Sequence, residues 1–489
     1  MSRLHAAIAV VLVTSVCLAQ DKKYQANWES LDSRPCPGWF TDAKFGIFVH
    51  WGVYSVPAWS PKGMYSEWYW MWMLKKKPVR EFHDRVYGKD FEYFDFAPLF
   101  KAELFDADQW AAVIASSGAR YFIPTSKHHD GYCLWPSAEA TRTWGRPWNS
   151  MDVAPRRDLL GELSAAMRKK DVRFCFYYSL YEWFNPLYKK DVAQYVAGHM
   201  TPQFKDVVTR YKPSLIFADG EWDHPAETWK SQELLAWLFN ESPVKDEVVV
   251  NDRWGKGTRH KHGSYFTTEY GAGMKDASRP WEENRGMGFS FGYNRAEDLQ
   301  DYRSARELVL MLCDLVSRGG NLNLDIGPAG DGSIPVIMQQ RLAEMGAWLK
   351  VNGEAIYGTT TARRECQWTP GTRPRQGYGE FKEKYDLMNM VGQAPRGDKA
   401  VKQAFFTRKG DTLYAITAGW PGRRLVLRDI QAPSDAAVTL LGHEGKLACT
   451  VEANTLTIEA PDLNVDQAPC RHAYTFKIPG AKLLAEKQP

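Results

Sequence analysis

Short apolar runs that end in polar or aromatic tips recur along the first three quarters of the chain. Residues 44–49 run into His50-Trp51-Gly52, and residues 120–124 lead to Lys127-His128-His129-Asp130-Gly131. Residues 172–177 end in Tyr178, and residues 215–218 end in Asp219-Gly220-Glu221-Trp222-Asp223. Four further runs, 248–250, 265–268, 288–291 and 321–324, lead to Asn251-Asp252-Arg253, Glu269, Gly292-Tyr293-Asn294 and Asp325. Apolar runs of this length, bounded by Gly or Pro, read as buried strands.

Helical spacing fills several of the gaps. Leu160, Leu163 and Met167 share a face behind Asp158, and Leu308, Leu312 and Leu315 share another before Asn321. Strands alternating with helices predict a parallel sheet, and eight strands predict a (β/α)8-like barrel over residues 20–360. The connection from Arg253 to Tyr265 is too short for a full helix, so the barrel is expected to be irregular. A closing helix carries Met338, Leu342, Met345 and Leu349 and stops at Asn352-Gly353. Beyond it the pattern becomes short strands separated by turns, with Lys409-Gly410-Asp411 as a hairpin signal. Residues 361–489 are expected to form an antiparallel β-sandwich packed on the barrel.

The first nineteen residues differ from both. Arg3 precedes an apolar run from Ala6 to Val16, and Cys17-Leu18-Ala19 offers a small-residue cleavage site. This predicts a signal peptide and an exported protein, secreted, periplasmic or lysosomal, with no membrane span. Seven cysteines then remain, from Cys36 to Cys470, without zinc-type spacing; Cys175 and Cys313 read as core residues. A net charge of +4 over 489 residues gives no nucleic-acid footprint. Twenty Trp, 23 Tyr and 23 Phe are a heavy aromatic load; core packing explains most of them, and a minority are available to stack on sugar rings.

In a parallel barrel the strand ends converge on one mouth. Here that mouth collects His50, Glu67, Trp68, His128, His129, Tyr178, Asp219, Arg253, Glu269 and Phe291. Two carboxylates among neutral hydrogen-bonding groups and aromatics suit glycoside hydrolysis, with one attacking the anomeric carbon and the other protonating the leaving oxygen. Three histidines, Asp219 and Glu269 also contain enough ligand types for a metal. Adjacent histidines on an extended strand point apart, which makes His128-His129 a poor chelate unless the backbone turns there. The histidines could also be plain buried residues. Hydroxyl recognition accounts better for three of them at strand tips, and no metal or cofactor is expected.

Several motifs carry a resemblance. Residues 44–52 (Lys-Phe-Gly-Ile-Phe-Val-His-Trp-Gly), Ser66-Glu67-Trp68-Tyr69, Lys127-His128-His129-Asp130-Gly131, Asn251-Asp252-Arg253-Trp254-Gly255, Ser290-Phe291-Gly292-Tyr293-Asn294 and Gly319-Gly320-Asn321-Leu322 resemble the α-L-fucosidases of glycoside hydrolase family 29. The likeness runs from about Trp39 to Gly358. It implies a retaining hydrolase of terminal α-L-fucose without metal or cofactor. It also implies that Asp219 is the nucleophile and Glu269, in Thr267-Thr268-Glu269-Tyr270, the acid/base, with Glu282 and then Glu283 as alternatives. His50, Glu67, Trp68, His128, His129, Tyr178 and Arg253 match fucose-contacting positions, and Phe291 an aromatic near the sugar. Phe217 departs from the family's usual Trp, and Asp325 from a common Asn. The expected partner is a fucosylated glycan. A fucose-binding lectin would lack Asp219 or a credible acid. A retaining glycosidase for α-L-galactosides differs only at the sugar's C5 substituent and stays open.

Overall fold

The computed structural model describes residues 24–274, 277–375 and 386–485. The proposed signal peptide lies outside the described residues.

Eight parallel strands follow one another around a curled sheet: Phe45–Val49, Tyr121–Lys127, Phe176–Ser179, Leu215–Asp219, Val249–Val250, Phe266–Glu269, Trp281–Gly286 and Gly320–Ile326. The last pairs with the first, Val49 lying beside Ile326. No ladder joins Val249–Val250 to Phe266–Glu269. Side chains bridge that seam instead: the Asp252 carboxylate accepts from the Thr267 hydroxyl at 2.7 Å and from the His260 amide at 2.8 Å. No helix occupies the connection between those two strands, as its length requires.

Strand alternation sorts the side chains into two cores. Phe48, Tyr121, Ile123, Tyr177, Phe217 and Tyr265 cluster inside the barrel. Ile47, Val49, Phe122, Phe176, Tyr178, Ile216 and Ala218 face outward and join the helices in a second, larger core. Gly46 admits the Tyr121 ring, which a Cβ there would meet at 2.1 Å.

The predicted helices form at Leu159–Lys169, Ala305–Ser317 and Val336–Asn352, and the named apolar positions on each are buried. Asp158 caps the first by accepting from the Gly161 amide at 2.9 Å. Cys175 and Cys313 are buried, and the seven cysteines among the described residues are all free thiols. Among the described residues no helix is long and apolar enough to cross a membrane.

One strand differs from expectation. The seventh is Trp281–Gly286, whereas residues 288–291 form a bend leading to Phe291. Trp281-Glu282-Glu283-Asn284-Arg285 is too polar to read as a buried strand. It is buried because the barrel interior supplies partners: Glu282 accepts from the Tyr121 hydroxyl at 2.5 Å, and Asn284 donates to the Thr268 carbonyl at 3.2 Å.

The C-terminal part is antiparallel. A five-stranded sheet runs Thr360–Trp368, Lys402–Lys409, Thr412–Thr417, Tyr474–Pro479, Thr439–Leu440. A three-stranded sheet of Arg424–Arg428, Thr455–Glu459 and Cys449–Glu452 contributes Leu425, Leu427, Leu456 and Ile458 to a core shared with Phe406, Leu413 and Phe476. The hairpin at Gly410-Asp411 forms as its sequence predicts. The sandwich packs on the barrel through Trp348, whose indole donates to the Ala473 carbonyl at 2.8 Å, and through a buried Lys402–Asp314 pair.

Candidate active site

A narrow cavity opens at the C-terminal ends of the strands. Its wall includes nine of the ten residues expected there: His50, Glu67, Trp68, His128, His129, Asp219, Arg253, Glu269 and Phe291.

Tyr178 is the exception. Its hydroxyl donates to Gln203 Oε1 at 2.9 Å and lies 3.2 Å from the Met200 carbonyl, in the outer core. Tyr177 takes the inner place, because successive strand residues face opposite sides. In the register Tyr177 is level with Phe217, and Ser179 with Asp219. The alternation around Phe176 and Phe217 is the signal that could have identified it. Tyr65, Phe48 and Asn284 also line the cavity and were not singled out by sequence.

Asp219 ends its strand with both oxygens engaged. Oδ1 accepts from Arg253 Nη1 at 3.0 Å, and Oδ2 from the Tyr177 hydroxyl at 2.9 Å. His129 Nε2 lies 3.6 Å from Oδ2, and Arg259 Nη2 lies 3.7 Å from Oδ1. Burial opposes ionisation, but the charges of Arg253 and Arg259, joined by His129 once it is protonated below about pH 4, outweigh it and hold the carboxyl down to about 2. Arg253 reaches a second carboxylate: Nη2 donates to Glu269 Oε2 at 3.2 Å, while Nε donates to the Thr267 hydroxyl at 3.0 Å. The other Glu269 oxygen accepts from the Tyr65 hydroxyl at 2.9 Å. One guanidinium thus spans both carboxylates.

The alternative acids lie elsewhere. Glu282 sits within the barrel against Tyr121, and burial pushes it up to about 8. Glu283 points to the other side of its strand, accepting from the Thr268 hydroxyl and the Gly271 amide. Neither lines the cavity.

His128 and His129 follow the strand, which ends at Lys127. The backbone turns there, the Gly131 amide donating to the His128 carbonyl at 3.0 Å. Both rings therefore enter the cavity, with centroids 4.1 Å apart, which extended geometry would forbid. Glu182 anchors the turn from below by accepting from Lys127, His199, Trp144 and Asn185. His129 Nδ1 bonds the Ser179 hydroxyl at 2.6 Å, and buried His128 Nδ1 has no protein partner. Burial pushes His129 down to about 4, His50 down to about 3 and His128 well below the usual range. Three neutral imidazoles result, each able to donate from one nitrogen and accept at the other. Among the described residues no group of three or more His, Cys, Asp or Glu side chains is arranged to hold a metal ion.

Glu67 is buried beside them, accepting from the Gly292 amide at 2.9 Å and the Ser290 hydroxyl at 3.2 Å; burial pushes it up to about 7. Phe291 stacks on His50 with centroids 5.0 Å apart. Phe217 lies beneath Arg253, whose guanidinium carbon is 5.1 Å from the ring centre. The site combines two carboxylates bridged by one guanidinium with neutral donors, acceptors and aromatic walls. That set can bind a hydroxylated ring and cleave a glycosidic bond.

Comparison with known proteins agrees with that chemistry. Residues 11–354 match the family model described as alpha-L-fucosidase, and residues 396–479 match the model of the alpha-L-fucosidase C-terminal domain. The chain is 40% identical to the plasma alpha-L-fucosidase of Rattus norvegicus, over 93% of this chain and 94% of the relative. It is 39% identical to the tissue alpha-L-fucosidase of Homo sapiens, over 94% and 93%. Among solved structures, the alpha-fucosidase of Thermotoga maritima in complex with a mechanism-based inhibitor superposes with a TM-score of 0.76 and 33% identity, covering 93% of this chain and 99% of that one.

Proposed function

Because the chain belongs to the α-L-fucosidase family of glycoside hydrolases, we propose that it removes terminal α-L-fucosyl residues from glycans by double displacement. The observation that carries this reading is the Asp219–Arg253–Glu269 bridge. A retaining pair stands about 5–5.5 Å apart and an inverting pair about 6.5–9.5 Å. Two carboxylates gripped by one guanidinium suit the closer arrangement.

In the first step ionised Asp219 attacks the anomeric carbon. The C1–O bond to the leaving group breaks, and Glu269 transfers its proton to the departing oxygen. Esterification then removes the Asp219 charge and leaves the Arg253 cation facing Glu269, which favours the base form. In the second step Glu269 takes a proton from water, the hydroxide oxygen bonds C1, and the Asp219 carboxylate departs. Arg253 and Tyr177 support the charge that returns to Asp219. His50, Glu67, His128 and His129 supply hydroxyl contacts, and Trp68 a flat wall.

Phe291 with Phe48 and Phe217 offers an apolar surface for the C5 methyl, worth about 1 kcal/mol. The Thermotoga maritima relative was also solved in complex with fucose. The α-L-galactoside reading would place a hydroxymethyl against the same surface. Export through the N-terminal segment is part of the proposal, on the strength of its apolar run.

The test is hydrolysis of chromogenic α-L-fucoside and α-L-galactoside, with the anomeric configuration of fresh product followed by proton NMR. α-L-Fucose as first product, with fucoside preferred, is expected. β-L-Fucose as first product would replace double displacement by inversion. Asp219→Gly should lower turnover on the order of 10⁴-fold or more.

A further inference from the structure

We propose that Tyr65, Tyr270 and Phe289 form a platform for the leaving-group sugar, a pyranose that presents a C–H face. This inference rests on Glu269 being the acid.

The acid fixes where the leaving group lies. Its proton goes to the glycosidic oxygen, so the departing ring must sit on the Glu269 side of the cavity, with Asp219 reaching C1 from the opposite face. On that side the Tyr65 hydroxyl donates to Glu269 Oε1 at 2.9 Å. The Tyr65 ring is one corner of an aromatic cluster beside the acid. Its centroid is 5.5 Å from Phe289 at 23°, and Phe289 is 5.2 Å from Tyr270 at 20°. Tyr65 and Tyr270 are 6.2 Å apart at 27°. Three rings are thus near-parallel and mutually adjacent.

Tyr65 lines the cavity and Phe289 does not, yet Phe289 is 40% exposed. The cluster therefore joins the cavity wall to solvent. One exposed apolar side chain needs no explanation. A stacked set reaching from the acid to the rim is a shape that a sugar face fits, because ring C–H groups pack on aromatic surface.

The cluster is also held in place. The Phe289 amide donates to Glu297 Oε1 at 3.0 Å, and its carbonyl accepts from the Tyr270 hydroxyl. Tyr270 takes φ of 48°, a left-handed backbone that a tyrosine adopts at a cost, directly after Glu269. A second aromatic pair, Trp68 with Trp222 at 6.3 Å and 16°, stands on the Asp219 side.

The test compares Phe289→Ala with wild type on three substrates. α-L-Fucosyl fluoride has no leaving ring and needs no acid. A dinitrophenyl α-L-fucoside has a leaving ring and needs no acid. An α-L-fucosyl disaccharide has a ring and needs the acid. Expected are losses in kcat/KM of about tenfold, about 1.4 kcal/mol, on the dinitrophenyl fucoside and the disaccharide. The fluoride should stay within about twofold, and Phe289→Trp should keep all three near wild type. A loss confined to the disaccharide would mean disturbed proton transfer and overturn the platform. So would equal losses on all three, or none. Wild-type enzyme inactive on the fluoride would instead refute the proposed function.

Discussion

His50 Nδ1 and Asp325 Oδ2 lie 2.6 Å apart, in a contact from which water is almost wholly excluded. The register explains the reach. Asp325 is level with Phe48, and His50 follows two residues later on the same inner face. Asp325 Oδ1 has no hydrogen-bond partner, so the contact with His50 is the use this structure makes of the side chain. Burial and the charge of Glu67 push Asp325 well above the usual carboxylate range.

That pairing predicts a positioning role. Asp325→Ala should free the His50 ring and lower kcat/KM on an α-L-fucoside about tenfold, mainly through KM. Asp325→Asn keeps both a donor and an acceptor within reach of Nδ1 and should stay within about threefold. Equal losses in the two variants, read by steady-state kinetics, would remove ring anchoring as the role.

The two adjacent tyrosines should separate cleanly. Tyr177→Phe removes a hydrogen bond to Asp219 and should lower kcat about tenfold with little change in melting temperature. Tyr178→Phe should leave kcat/KM within about twofold and destabilise by about 1 kcal/mol, since its hydroxyl serves Gln203 in the outer core. The reverse pattern in kinetics and thermal melts would contradict the inner and outer assignment.

Glu269→Ala should slow a disaccharide far more than an activated aryl fucoside, because a leaving group of low pKa departs without help. Azide needs no general base, so it should accelerate breakdown of the fucosyl-enzyme in this variant. Two inversions then give α-L-fucosyl azide. Glu282→Ala removes a partner of Tyr121 within the barrel and should show no azide rescue. Rescue seen with Glu282→Ala alone would transfer the acid role to that strand.

Glu67 carries a stability cost of definite sign. Its folded-state pKa is raised from 4.5 to about 7 by burial. Below pH 4.5 it is protonated both folded and unfolded, and no cost arises. Between pH 4.5 and about 7 the unfolded chain ionises it while the fold does not, so stability falls as pH rises. Glu67→Gln stays neutral throughout. The variant's stability advantage over wild type should therefore be greater at pH 8 than at pH 4.5, by roughly 3 kcal/mol at most. Fucoside binding should weaken at the same time. A gap in melting temperature that does not change between the two pH values would contradict the burial of an ionisable Glu67.

The amino-acid sequence by itself determined the strands whose residues are apolar, the helices with buried stripes, and which strand tips carry chemistry. Those features are local: a run such as Leu215 to Ala218 is buried whatever it pairs with, and Asp219 follows it along the chain. It also determined the family, through motifs that need no coordinates. Only the tertiary structure decided the rest. Trp281–Gly286 is a strand because Tyr121 and the barrel interior satisfy polar groups that hydropathy counts against burial. Tyr177 rather than Tyr178 faces the cavity because one residue of strand phase separates inside from outside. His128 and His129 share the cavity because the chain turns at Lys127, over a Glu182 anchor 53 residues after His129. The link between Asp219 and Glu269, fifty residues apart, is made by Arg253, and only closure of the barrel brings the three together.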